Sequence, residues 1–157
     1  MAAAANTETA LPIAIAAYID AYRDTVGLPS SATLPCRTSV SDDDTDYPRI
    51  FITINGGIDS PHPRRLSIPI TVEIQTRMEK TAPASEDTWL ASLHRVLADA
   101  NAIRVWMAAN NQPFNVRTAR VIAMSTGIDS DKQIRGRRTD LTFTLRAHEL
   151  APVLAAA

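Results

Sequence analysis

From Leu66 to Thr76 the chain alternates without a slip: Ile68, Ile70, Val72 and Ile74 are separated by Ser67, Pro69, Thr71, Glu73 and Gln75. A period of two sends successive side chains to opposite faces, so this segment is a strand with one apolar and one polar face. Such a strand belongs in an antiparallel sheet covered on one side only. Leu141, Phe143 and Leu145 repeat the pattern against Thr142, Thr144 and Arg146, and Ile50, Ile52 and Ile54 repeat it against Phe51 and Thr53. Something apolar must cover the aliphatic face, and two helical segments supply it.

The first helix is expected from Thr9, as cap, through Leu11, Ile15, Tyr18, Ile19 and Tyr22, with Gly27 and Pro29 ending it. The main helix is expected from Ser85-Glu86-Asp87, where two acids suit the N-terminal dipole. Its apolar stripe is Trp89, Leu93, Val96, Leu97, Ala100, Ile103 and Met107, and Asn101 leaves open one helix or two in tandem. Leu34–Val40 and Phe114–Met124 read as strands, Pro61-His62-Pro63 as a stiff loop, and 125–134 as a long connector before a last strand, Arg135–Ala147. The order is α–β–β–β–α–β–β, an α+β fold: a single, mainly antiparallel sheet with two helices on one face. Residues 1–8 and 149–157 read as flexible tails around one domain at 9–148. At 157 residues and 45% hydrophobic, the chain has enough core for that domain.

The formal net charge is −1, but it is unevenly placed. Residues 1–48 carry two Arg against seven acids, four of them Asp42, Asp43, Asp44 and Asp46. Residues 111–148 carry seven Lys/Arg against three Asp. The sharpest basic group is Arg135, Arg137 and Arg138, read as an arginine-loaded turn, Gln133–Thr139. Separated charge of this kind serves a self-complementary assembly, a fixed internal contact or a polyanion site. No aromatic residue interleaves with the arginines, so stacking on bases is not indicated.

Other chemistry is thin. The aspartate loop lacks the glycine and distal glutamate of a calcium loop. One Cys and three scattered His give no zinc spacing, so no metal or cofactor is expected. Cys36 is a lone thiol, which fits a reducing compartment, and Arg37 beside it is positioned to lower its pKa. His94 has acids within two turns, yet general acid–base work needs a partner in hydrogen-bond reach. No enzyme is expected. Trp89 fits the core stripe, whereas Trp106 lies partly off it and is a candidate aromatic anchor at a subunit contact. Ala10–Ala17 is interrupted by Pro12 and preceded by no Lys or Arg, so a soluble chain without a membrane segment is expected.

The order of elements resembles phage tail-terminator and tail-completion proteins, the small neck proteins of tailed viruses. The resemblance spans Leu11 to His148. It rests on the first amphipathic helix, Tyr47-Pro48-Arg49-Ile50-Phe51-Ile52, Ile70-Thr71-Val72-Glu73-Ile74, the helix with Trp89-Leu90, and Arg137-Arg138-Thr139-Asp140-Leu141-Thr142-Phe143-Thr144-Leu145-Arg146. It implies a virion protein, assembled in the host cytoplasm, whose copies close into a ring, usually six-fold. That ring caps the tail tube, docks to the connector and lets DNA pass without gripping it. Heterologous ring contacts need two matching patches; Asp42, Asp43, Asp44 and Asp46 against Arg135, Arg137 and Arg138, with Trp106, are the candidates. Alternatives are another head-completion or tube protein, and a nucleic-acid-binding module using Arg135–Arg138.

Overall fold

The computed structural model describes residues 2–38, 47–55, 59–62 and 65–146. Among these, the order is α1 (Ala2–Val26), β1 (Cys36–Arg37), β2 (Arg49–Ile54), β3 (Asp59–His62), β4 (Arg65–Arg77), α2 (Pro83–Leu97), α3 (Ala100–Ala109), β5 (Val116–Asp129) and β6 (Ile134–Arg146). The strands form one sheet in the order β1-β2-β4-β6-β5, with β3 also on β4. Only β1 against β2 is parallel. The α+β class and the one-sided helix layer are as the alternation requires.

Register explains the layering. Ile50 lies opposite Ile74, Ile52 opposite Val72, Ile70 opposite Leu141 and Ile68 opposite Phe143. Directly opposed residues share a face, so these side chains form one apolar floor. All are buried against Leu11, Ile15, Tyr18 and Ile19 of α1, Leu93 and Leu97 of α2, and Ile103 and Met107 of α3. Two side chain-to-backbone bonds fix α1 to α2: Tyr18 Oη donates to Val96 O at 3.0 Å, and Ser92 Oγ to Val26 O at 2.8 Å. The other sheet face is polar, carrying Thr71, Glu73, Gln75, Arg138, Asp140 and Thr142.

Several boundaries differ from the sequence expectation, each for a local reason. Helix α1 starts at Ala2, not Thr9, so residues 2–8 are helical backbone and Pro12 lies inside the helix. It ends as expected at Gly27, whose φ of 79° suits a residue without Cβ, and Leu28 N donates to Arg23 O at 2.9 Å. The stripe of the main helix is divided into α2 and α3. The break falls at Ala98–Asp99, before Asn101, and the Asp99 carboxylate caps α3 by accepting from Ala102 N at 3.0 Å. Helix α2 begins at Pro83, two residues before Ser85, because proline is favoured at the first helical position. Pro61 and His62 belong to β3, short enough at the sheet edge to tolerate proline.

The largest difference is at the C-terminal hairpin. Strand β5 continues to Asp129, and the loop is 130–133 rather than a connector of nine or ten residues. The supposed arginine turn is the first half of β6. Solvent on both faces of 122–129 removes the need for alternation, so the sequence pattern fades where the strand continues. Residues 147–157, including the expected C-terminal tail, lie outside the described residues.

Candidate functional site: an edge hairpin and its clamp

In a strand, neighbours face opposite ways, and this splits the three arginines. Arg135 and Arg137 lie on the helix side, opposite Thr76 and Ile74; Arg138 lies on the outer side, opposite Glu73. Arg138 pairs with Asp140 at 2.9 Å, and Asp140 also accepts from Thr71 at 2.9 Å. Gly136, between the two clamp arginines, also faces outward, under the Glu73 carboxylate: a Cβ there would sit 2.9 Å from Glu73 Cδ.

On the helix side, Glu86 in the first turn of α2 is fully buried. Arg135 grips it with two donors, Nε to Oε1 and Nη2 to Oε2, both at 2.7 Å. Thr76 Oγ1 donates to Oε2 at 2.7 Å and Arg137 Nε to Oε1 at 3.2 Å, while Arg137 Nη2 reaches Asp87 at 2.6 Å. Burial pushes the Glu86 carboxyl up, but the hydrogen bonds from Arg135 and Thr76 and the Arg135 charge outweigh it, leaving Glu86 below the usual carboxylate range. Two cations and two carboxylates close the cluster at zero net charge. Farther along, His94 Nε2 lies 2.8 Å from Thr139 Oγ1, and burial lowers the His94 pKa. The clamp and this bond bind α2 along β6.

Strand β5 is different in kind. It pairs with β6 and, among the described residues, its other edge is unpaired. Ile122 is 59% exposed, and Met124 and Ile128 are 61% exposed. Met124, Thr126 and Ile128 lie opposite Thr139, Arg137 and Arg135, so they share the helix-side face. Arg117 and Arg120 are exposed. The register shifts at 117 and 122, but from Ala123 to Asp129 it runs unbroken.

The other candidates are placed as follows. Asp42, Asp43, Asp44 and Asp46 lie outside the described residues. Trp106 is half-buried and meets the Tyr18 ring edge-on at 5.8 Å, so its ring faces α1. Cys36 lies beside Arg23, not under the influence of Arg37: Arg23 Nη2 is 3.4 Å from its sulfur. Burial and Asp20 outweigh Arg23 and push the thiol up to about 12, the reverse of an activated nucleophile. Arg23 is itself buried and donates to Leu34 O at 2.6 Å and Pro29 O at 2.9 Å, pinning the segment after α1.

Depressions lie elsewhere among the described residues. One of about 360 Å³ on the outer face is lined by Tyr47, Glu73, Gln75, Lys132 and Gly136 among others. One of about 140 Å³ lies near Arg104, Phe114 and Asn115. Among the described residues, no three His, Cys, Asp or Glu side chains gather as a metal site, and no helix is long and apolar enough to cross a membrane.

Sequence reading found the arginines but not their partners. The signal is present in the sequence: Glu86 and Asp87 open the helix, where the dipole or His94 accounts for them as readily as the arginines do. The apolar residues of β5 were missed because they sit in a polar stretch without alternation. No protein-family model matches the chain, and no curated protein matches it.

Proposed function

We propose that this chain is a structural subunit of the head–tail junction of a tailed virus, working as a self-assembled ring that caps the tail tube and docks it to the connector. The observation that carries the reading is the β5 edge, a 14-residue strand with one side unpaired among the described residues and three apolar residues each more than half exposed. An edge of this kind templates pairing with another chain unless it is covered. Assembly covers it. Ring closure takes a second, heterologous patch, for which Asp42–Asp46 and Arg138, paired with Asp140 but more exposed than Arg135 or Arg137, stand as candidates. Arg135 and Arg137 are less suited to it, since Glu86 and Asp87 already engage their guanidinium groups. The same engagement weakens the polyanion alternative.

Light scattering on the purified protein, with negative-stain images of the same peak and of the protein mixed with isolated tail tubes, tests the reading. Rings, free or seated on tube ends, are expected. A particle that forms no ring and ignores the tubes, yet is retained on DNA at low salt and released at high salt, overturns it.

A further inference from the structure

The exposed edge of β5 has a geometry that selects its occupant. A head-to-tail extension of the sheet would set β5 against β1, which is two residues long. Against itself, β5 offers the whole unbroken segment Ala123–Asp129. Antiparallel pairing centred on Thr126 sets Met124 of one copy opposite Ile128 of the other, and Ile128 opposite Met124. All four lie on one face, because 124, 126 and 128 share a side. Charge favours the same orientation. The strand begins with exposed Arg117 and Arg120 and ends at Asp129 and Asp131, with Lys132 leaving that end net negative. In this antiparallel register Asp131 and Asp129 of one copy fall opposite Val121 and Ala123 of the other, one and three residues from Arg120, which itself faces Lys132; a parallel partner would stack Asp129 on Asp129 and Arg120 on Arg120.

We propose that in the free protein β5 pairs with β5 of a second copy about a two-fold axis at Thr126. This goes beyond the ring reading. A two-fold contact closes on itself, so a ring that uses the same edge forms only by exchanging it. The dimer is thus a state that shields the edge before assembly.

The test uses the full chain with Cys36→Ser. Opposed residues of an antiparallel pair lie about 4.5–5.5 Å apart at Cα, inside the roughly 4.4–6.8 Å span of a disulfide. Thr126→Cys should therefore cross-link to itself under mild oxidation. Ala123→Cys falls six residues from its own copy, about 20 Å away, and should not. Met124→Lys with Ile128→Lys should convert the dimer to a monomer in light scattering, with the circular dichroism spectrum and melting unchanged. Three outcomes overturn the pairing: a monomer at every concentration, equal cross-linking of both cysteines, or an oligomer in which Thr126→Cys stays reduced. Rings without the Thr126 cross-link would sink this inference and leave the ring reading standing; a cross-linked dimer that never forms rings on tube ends would do the reverse.

Discussion

Glu86 is the residue on which the hairpin depends. A buried carboxylate accepting four hydrogen bonds is stable only while the arginines stay, and removing its charge leaves the Arg135 guanidinium without its carboxylate in a half-buried site, while Arg137 keeps Asp87. Glu86→Gln should cost about 3–5 kcal/mol, the usual loss when one partner of a buried ion pair is deleted, read by urea unfolding. Acid should act on the same region. The folded-state pKa values of both His94 and Glu86 lie below their ordinary values, so the unfolded chain takes up protons first. Stability should be full above about pH 6.5, fall as His94 is protonated, and fall again below about pH 4.5 with Glu86. His94→Gln should remove the first decline and leave the second, in melts taken across pH. The clamp arginines were legible in the sequence as an unusual cluster; their buried partner was not, because burial of Glu86 follows from how α2 lies on β6, a contact between segments 49 residues apart.

At the scale of elements, the clearest periodicities gave correct strands and helices, since β4, the apolar half of β6 and the stripe of α2–α3 each bury one face. Boundaries failed where local chemistry took over. The α2–α3 break depends on Asp99, and Asp99→Ala should cost about 1 kcal/mol, measurable as a drop in helical melting without loss of the sheet signal. Phe143 is fully buried in the floor beneath the helices, and Phe143→Ala should cost about 3–5 kcal/mol. The distal half of β5 has one neighbouring strand and exposed side chains on both faces. Its amides should exchange with solvent well before those of β4, which is paired on both sides.

Over the described residues, the sheet is covered by helices on one face and ends at β5, whose outer edge is unpaired; the proposed assembly would cover that edge. Separated charge raises the question of assembly; of its candidate patches, Arg135 and Arg137 are engaged within the fold by Glu86 and Asp87, while Asp42, Asp43, Asp44 and Asp46 lie outside the described residues. Under the proposed pairing, the element left for a neighbour is β5, with Arg117 and Arg120 at one end and Asp129 at the other. The clamp has a further consequence for how the chain finds its fold. A one-residue slip of β6 would turn Leu141, Phe143 and Leu145 outward, and the core itself would reject it. A slip of two keeps every aliphatic residue facing inward, so hydrophobicity hardly notices. Glu86 does notice, because it would then meet Thr139 or Gln133 in place of one arginine. The buried carboxylate is a parity check extended to the next digit, catching the strand-pairing error that greasy side chains let through.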